Sequence, residues 1–281
     1  MKSRTIVKAN EKDYDEAVPL EALSMLNLIE RRSEIVRLTE SRGKVDVEDL
    51  ARQLKVSAVT IRNDLNALSN KGLVVRARGG AIASTRLTRE LSVQEKYKEN
   101  RPIKRRLGKA VADLIGEDVR SVLLDSGTST EEVARCLVER SNLTVMTNGL
   151  NVASALAGAA GVDVLVTGGV LRKKSMSFYG RQAEESLRFL HFDLLILGAD
   201  GIDTKVGVTT HFGQEASLNR LMRQVASQVI LVTDSSKFGR RGPHIICRHT
   251  DIHTLVTDDG IADDTLAALT NDGVEVRVID G

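Results

Sequence analysis

The apolar positions between residues 28 and 83 predict three short helices followed by a small hairpin. The first helix carries apolar residues at helical spacing and stops near Gly43. The second covers Val47–Leu54, and the third begins at Ser57, a good N-cap residue, and runs to about Asn70. Two short β-rich runs then flank Arg76–Gly80, which predicts a hairpin with a basic tip.

From residue 104 onward the pattern changes to short apolar runs separated by helix-like stretches. Regular alternation of strands and helices is typical of a largely parallel sheet covered by helices. Most of the runs are nearly continuous in apolar residues, as expected for buried parallel strands. The predicted fold class is therefore α/β, preceded by a small helical domain. The runs are Val122–Leu124, Leu143–Met146, Val162–Val166, Phe192–Leu197, Val229–Val232, Thr254–Val256 and Val274–Ile279.

These patterns divide the chain into four parts. Residues 1–27 are charged and weakly periodic, and we expect a flexible extension whose end can hold a short helix. Residues 28–83 form the helical domain, residues 84–103 are a polar and partly helical linker, and residues 104–281 form the α/β domain. A basic cluster at the end of the linker is expected to lie on a solvated face, with a contact to the DNA backbone as the alternative; it consists of Arg101, Lys104, Arg105 and Arg106.

Composition narrows the class of protein further. The chain has 281 residues, 42% of them apolar and 28% charged, which is ordinary for a globular protein and too apolar for disorder. Its two cysteines cannot form a disulfide framework, and no secretory signal or bilayer-spanning run is visible, so a cytoplasmic location is expected. The net charge is only +2, but residues 51–80 hold six Lys/Arg against one Asp, a basic patch that can meet phosphate.

The second and third predicted helices, joined by a tight turn, match the geometry of a helix-turn-helix. If the stripe containing Ile61 faces inward, the polar groups of the third helix point outward. Such groups read base edges or hold phosphates, and the hairpin arginines can reach an adjacent groove or the backbone as a wing. The alternative is a small helical bundle with a solvated polar face. The candidate DNA contacts are Ser57, Val59, Thr60, Arg62, Asn63, Arg76 and Arg78.

Most strands of the predicted sheet end in small polar residues. Ligands of open parallel sheets bind beyond the carboxyl ends of the strands, so these loops predict one pocket. The first loop leads into a helix near Glu131, whose free N–H groups suit a phosphate, and Lys237 can add a point charge. Each loop taken alone can equally be a simple turn. The candidate ligand-binding residues are Asp125, Ser126, Gly127, Thr128, Ser129, Thr130, Thr147, Asn148, Gly149, Gly168, Gly169, Asp200, Glu215 and Lys237.

Together these motifs resemble the DeoR family of bacterial sugar-catabolism repressors. The resemblance is carried by Ser57–Leu65, which reads SAVTIRNDL, with Arg32 upstream and the hairpin Arg76–Ala81 downstream. It covers residues 28–281 and leaves 1–27 uncovered. It implies a winged helix-turn-helix, a sensor domain related to sugar-phosphate isomerases, operator DNA as the partner, and a phosphorylated sugar as the effector that shifts the chain away from its DNA-bound arrangement.

Within the family, the stretches Met146–Ala153, Ser177–Gly180 and His191–Asp193 favour members that control an amino-sugar pathway. One helix-turn-helix makes too few contacts for a long operator, so a homo-oligomer, dimer or tetramer, is expected. Activation of transcription, instead of repression, stays an open alternative at this point.

An isomerase with an added DNA-binding domain is the rival interpretation. The related isomerases carry an Asp-Gly-Ala-Asp-Glu loop and a later catalytic Glu. This chain has Leu197–Gly201, reading LGADG, which keeps only Asp200 of the three acids, and Glu215 matches the later Glu. Proton transfer between adjacent carbons needs a placed base and polarising groups, so both residues are expected to bind sugar hydroxyls without turnover. We therefore assign no catalytic residue, no cofactor and no metal, and a turnover assay separates the two interpretations.

Overall fold

The computed structural model describes residues 20–70, 73–83 and 90–280. The expected flexible extension lies outside these residues up to position 19, and from Leu20 the backbone is helical. The N-terminal elements are α1 (Leu20–Arg42), β1 (Lys44–Asp46), α2 (Val47–Leu54), α3 (Ala58–Asn70), β2 (Val74–Ala77) and β3 (Gly80–Ala83).

The helix-turn-helix forms as the apolar pattern predicts. Helix α2 begins after Asp46, whose side chain accepts the Glu48 N–H, and it ends at Lys55 in the left-handed conformation. Strands β2 and β3 form the wing (Val74–Ala83), and β1 pairs with β3 in the order β1-β3-β2. The sequence did not predict β1, because its three residues become a strand only through pairing with the wing.

The α/β domain begins with two helices and continues in alternating strands and helices. Its elements are α4 (Val93–Lys98), α5 (Arg101–Leu114), β4 (Ser121–Leu124), α6 (Thr128–Cys136), β5 (Leu143–Thr147), α7 (Leu150–Leu156), β6 (Val162–Val166), β7 (Val170–Arg172), β8 (Ser177–Tyr179), α8 (Arg181–Leu187), β9 (Phe192–Leu197), β10 (Gly201–Asp203), β11 (Gly207–Thr210), α9 (Gly213–Gln224), β12 (Ala226–Val232), β13 (His244–Cys247), β14 (Thr254–Asp258), α10 (Asp263–Asn271) and β15 (Glu275–Ile279).

All of the apolar runs predicted as strands form one sheet. Within the described residues, seven strands pair in parallel in the order β15-β14-β12-β9-β4-β5-β6. One buried apolar cluster lies on each face, with Leu195 and Leu231 in one and Ile196 and Val232 in the other. The predicted α/β class is therefore confirmed. The strand order reverses between β4 and β9, the place where ligands bind in open sheets.

Smaller elements surround the carboxyl ends of the parallel strands. Strands β7 and β8 form a hairpin, and β10, β11 and β13 form a second antiparallel sheet. The expected linker, residues 84–103, contains α4 and the first turn of α5, while its residues 84–89 lie outside the described residues. We call Glu90–Asn100 the strap, because it crosses the edge of the sheet where the ligand pocket is expected.

Candidate functional site

The outward face of α3 is the first candidate site. Ile61 is fully buried in the core of the small domain, as its place in the apolar stripe predicts. Val59 is 63% exposed, and Arg62 and Asn63 are also exposed on the opposite face. This face presents a methyl-bearing side chain, a guanidinium and an amide, which are groups that read base edges or hold phosphates.

Two local features hold α3 in place. The Ser57 hydroxyl accepts the Thr60 N–H at 3.0 Å, so the predicted N-cap is present and both residues lie at the start of the outward face. At the other side of the helix, the buried carboxylate of Asp64 accepts hydrogen bonds from Arg31 Nε at 2.6 Å and Arg32 Nε at 2.7 Å. Asp64 therefore fixes α3 to α1, a role that the sequence analysis did not assign.

The wing arginines have partners within the chain. Arg76 Nη1 donates to the Gly80 carbonyl at 2.7 Å, which braces the hairpin. The Arg78 N–H donates to the Gly260 carbonyl at 3.3 Å, and Arg78 Nη1 donates to the Asp259 carbonyl at 3.3 Å. In this arrangement the tip of the wing contacts the α/β domain. The assignment of both arginines to DNA stays a prediction.

The second candidate site is the pocket where the strand order reverses, which we call the switch-point pocket. Loops after β4, β9 and β12 meet there with the strap, α5, α9 and the turn before β8. The residues lining it that the sequence predicted are Asp125, Ser126, Gly127, Thr128, Ser129, Thr130, Asp200, Glu215 and Lys237, and those it did not predict include Lys96, Lys104, Ser175, Gly198 and Asn219.

One end of the switch-point pocket is built to attract an anion. Gly127 has φ of +142°, a conformation that favours glycine, and it turns the chain so that α6 starts at Thr128. The N–H groups in the first turn of a helix have no partner within the helix, and they carry its positive dipole end. Thr130 donates its hydroxyl to the Gly127 carbonyl at 3.1 Å, so this hydroxyl shapes the turn.

Two buried lysines lie beside this helix end. Lys104 is 3% exposed, and its Nζ donates to the carbonyls of Lys96 at 2.6 Å and Glu99 at 2.8 Å. Burial lowers the pKa of Lys104 to about 8, although Asp234 opposes the shift. Lys237 Nζ lies 3.5 Å from a carboxylate oxygen of Glu99. Burial also lowers the pKa of Lys237, again against the attraction of Asp234. A bound anion would therefore stabilise the charged form of both lysines.

The other end of the switch-point pocket is acidic, with Asp200 at its centre. Asp200 accepts hydrogen bonds from Lys96 Nζ at 2.6 Å and the Thr210 hydroxyl at 3.0 Å, and it lies 3.1 Å from His211 Nδ1. Burial alone would raise the pKa of Asp200, but Lys96 and His211 outweigh it and hold the pKa well below its usual range. Asp200 is therefore an oriented carboxylate that can accept a ligand hydroxyl.

Glu215 is the second carboxylate of this end. The hydroxyls of Ser175 and Ser177 both donate to Glu215 Oε1 at 2.5 Å, and Arg172 Nη1 lies 3.5 Å from the same oxygen. Arg172 also stacks over the Phe212 ring, 4.3 Å from its centroid. These contacts fix one oxygen of the Glu215 carboxylate, and Glu215 lines the switch-point pocket.

Asp125 lies between the two ends. It accepts the Ser126 N–H at 2.8 Å and the Gly198 N–H at 3.2 Å. Burial and the nearby charge of Glu215 nevertheless raise the pKa of Asp125 to about 7. A carboxyl group with this pKa can be protonated near neutral pH, and in its neutral form it does not repel an anionic ligand.

Some of the predicted ligand residues do not line the pocket. Asn148 Oδ1 accepts the Ser126 N–H at 2.9 Å and so supports the loop after β4, whereas Thr147 Oγ1 accepts the Gly149 N–H at 2.9 Å and shapes the turn after β5. Gly168 and Gly169 have φ of +67° and +103° and turn the chain between β6 and β7. Neither glycine lines the switch-point pocket, so a polar or glycine-rich strand end does not by itself predict a ligand contact.

Lys96 and Lys104 were missed because they belong to the strap and the helix after it. The expectation that Lys104 lies on a solvated face is wrong, since it shares the buried side of α5 with Leu107 and Val111. The three- and seven-residue spacings to these apolar positions were visible in the sequence. Ser92 and Glu95 form a capping box before α4, which also could have predicted a helix in the strap.

Comparisons with known proteins assign both parts of the chain. A model of the DeoR-like helix-turn-helix domain matches residues 31–86, and a model of the DeoR C-terminal sensor domain matches residues 99–259. None of the described helices is long and apolar enough to cross a membrane. Over the part of the chain that the structure describes, no group of three or more His, Cys, Asp or Glu could hold a metal ion.

Relatives match along most of the chain. The sequence is 48% identical over 252 residues to a protein of Escherichia coli O157:H7 that is provisionally named an aga operon transcriptional repressor, covering 89% of this chain and 93% of the relative. It is 35% identical to the transcriptional repressor AccR of Agrobacterium fabrum, covering 82% and 90%. A ribose 5-phosphate isomerase A from Methanocaldococcus jannaschii shares 13% identity over 50% of this chain and 55% of that one, with a TM-score of 0.38.

Proposed function

This chain belongs to the DeoR family of helix-turn-helix repressors with a C-terminal sensor domain, and we propose that it represses an amino-sugar catabolic operon until a phosphorylated sugar binds the switch-point pocket. The observation that carries the proposal is the polarity of this pocket. One end offers a helix N-terminus with Lys104 and Lys237, and the other offers the carboxylates of Asp200 and Glu215.

The two ends suit the two parts of a sugar phosphate. The phosphate has oxygens to accept the first-turn N–H groups of α6, as anions do at helix N-termini. Its charge would stabilise the ammonium groups of Lys104 and Lys237, on which the carboxylates of Glu99 and Asp234 already act. The sugar hydroxyls would then donate to Asp200 and Glu215. Charge-assisted hydrogen bonds of this kind are about twice as strong as neutral ones.

The amino-sugar assignment rests on likeness to relatives. The sequence resembles the N-acetylgalactosamine-pathway repressor AgaR, and the relative in E. coli O157:H7 carries the name of the aga operon. Operator DNA is the proposed partner, with a homo-oligomer, dimer or tetramer, as the binding form and the cytoplasm as its location. A single recognition helix reads too few base pairs for a long operator, which is the reason for expecting an oligomer.

Local packing supports a regulator without isomerase activity. Two of the acids in the isomerase loop are replaced by Leu197, which is fully buried in β9, and by Gly201. A side chain at position 201 would begin 2.3 Å from the Arg240 carbonyl oxygen, so an acid does not fit there without moving the backbone. Asp200 and Glu215 then serve to bind hydroxyls, as the sequence predicts.

Replacing Arg62 with alanine should weaken operator binding about 5- to 100-fold, because one good contact to a base contributes about 1–3 kcal/mol. Arg62 is exposed, and its nearest acid is the exposed Glu48 at 3.4 Å, so the fold should persist. We would select the operator from random DNA with the full chain and compare affinities by fluorescence anisotropy at moderate salt. Arg37→Ala is the matched control, because it removes the same charge from an exposed position on α1. Equal affinity of wild type and Arg62→Ala would contradict this recognition surface.

Effector binding should weaken at least tenfold between pH 7 and pH 9, because Lys104 loses its proton and Asp125, whose pKa is about 7, loses its own. Below its folded pKa of about 8 the lysine is charged and attracts the phosphate, and above it the attraction is lost. The charged groups around it are Lys96, Glu99, Asp234 and Lys237. The measurement is calorimetry with galactosamine 6-phosphate across this range, where the phosphate keeps its full charge.

The Lys104→Met variant tests the origin of this pH dependence. It should bind the sugar phosphate more weakly at pH 7 and lose less affinity than wild type up to pH 9, because only the loss from deprotonation of Asp125 remains. The exposed Lys109→Met is the matched control and should keep the wild-type profile, since Lys109 contacts only Asp113 of its own helix among the pairs described. The same slope in Lys104→Met as in wild type would show that another group titrates.

A further inference from the structure

The tip of the wing is seated on the α/β domain by close contacts. The Arg78 N–H and guanidinium reach the carbonyls of Gly260 and Asp259, and Arg78 Nη1 lies 3.9 Å from the Asp259 carboxylate. Nearby, Val75 packs against Gly239, which has φ of +70°. A side chain at position 239 would begin 2.1 Å from Val75 Cγ1, so only glycine allows this approach.

The surface under the wing is acidic. The segment Asp258–Asp264, which we call the acidic loop, reads DDGIADD and contains four carboxylates without a Lys or Arg. Burial lowers the pKa of Arg76, Asp264 acts in the opposite direction, and Arg62 lowers it further. The charge of Asp264 therefore reaches Arg76, while Arg78 contacts the acidic loop directly.

The same arginines are the expected wing contacts to DNA. A guanidinium that is bonded to the Asp259 carbonyl is not free to bond a phosphate in the same orientation. We propose that the acidic loop is a seat for the wing that competes with operator DNA for Arg78, so that the docked wing disfavours operator binding. The occupant of the seat is the wing of the same chain, and the complementary charges are the reason.

The seat is connected to the switch-point pocket through a short segment. Lys237 lies in the pocket, and Gly239, two residues later, touches Val75 of the wing. Ser235 donates its N–H at 2.6 Å and its hydroxyl at 2.7 Å to Asp258, the first residue of the acidic loop. A phosphate that draws Lys237 inward therefore acts on both parts of the seat. This step rests on the proposed function, since it uses the same pocket and the same DNA contacts.

A double-mutant cycle tests the competition without any effector. Asp259→Asn with Asp264→Asn weakens the seat, frees the wing and should tighten operator binding about three- to tenfold, since undocking raises the fraction of chain able to bind. In an Arg78→Ala background the wing has lost its main contact with the seat, so the same two substitutions should give at most a small gain. The difference between the two gains in operator affinity measures the coupling between Arg78 and the acidic loop.

A control with the same change of net charge separates loss of the seat from a general electrostatic effect. Asp118→Asn with Asp163→Asn makes the same change of net charge at exposed positions away from the wing and should leave operator affinity unchanged. An equal gain with and without Arg78 would mean that general repulsion between DNA and the acidic loop is relieved, and it would overturn the competition. No gain in either background would overturn it too. A wild-type chain that selects no DNA sequence would instead refute the proposed function.

Discussion

Replacing Asp64 with alanine should destabilise the helix-turn-helix domain by about 2–4 kcal/mol and abolish specific operator binding at physiological temperature. The Asp64 side chain is only 2% exposed, and it accepts hydrogen bonds from both Arg31 and Arg32. Removing it leaves two guanidinium groups without their carboxylate and releases α3 from α1. The two arginines are partly exposed and can regain water, so the expected cost lies below that of a fully buried ion pair.

The measurement is chemical unfolding of the full chain, followed by a probe on the small domain, together with operator binding. Asp49→Ala is the matched control, because Asp49 forms an exposed pair with Arg52 on the same domain and such pairs contribute less than about 1 kcal/mol. Asp64→Asn should lie between the two, since it keeps the size and one acceptor oxygen. Wild-type stability in Asp64→Ala would show that α1 and α3 are held by apolar packing alone.

The sequence was sufficient for those parts of the fold in which each element follows from its own residues. Parallel strands buried on both faces leave nearly continuous apolar runs, and all the runs predicted from this rule are strands of the sheet. The stripe with Ile61 fixed the inward face of α3 and thus the outward position of Arg62. The loop after β4 was recognised because Gly127 and the start of a helix are neighbours in sequence.

The contacts that were missed join residues far apart in the chain. Lys96 belongs to the strap, and its partner Asp200 lies 104 positions away, so no local pattern indicates their pairing. Arg78 meets Asp259 across 181 positions, so no local pattern indicates that the wing contacts the α/β domain. Asp64 is different, because it stands within the apolar stripe of α3, and a polar residue at such a position signals a buried partner.

A carboxylate placed at the start of α6 should remove the response to the sugar phosphate while leaving the operator bound. Thr128 is 5% exposed and lines the switch-point pocket together with Lys104 and Lys237, so Thr128→Glu brings a carboxylate into the anion-binding end. It would occupy the position of the phosphate and repel its charge. Each charge-assisted hydrogen bond contributes roughly 1.5–3 kcal/mol, so the loss of two lowers effector affinity on the order of 100-fold or more.

The phenotype depends on whether the carboxylate only blocks the pocket or also acts as a bound phosphate. A blocked pocket gives a repressor that holds its operator when the sugar phosphate is added, whereas a mimic draws Lys237 inward and releases the operator without any sugar. Thr128→Ala distinguishes them, because it removes the hydroxyl without adding charge and should weaken the response without constitutive release. Ser154→Glu adds the same charge on an exposed face of α7 and serves as the control. The measurement is a titration of the protein–operator complex with galactosamine 6-phosphate. A wild-type response in both Thr128 variants would show that the phosphate binds elsewhere and that the loop after β4 is only a strand-to-helix turn.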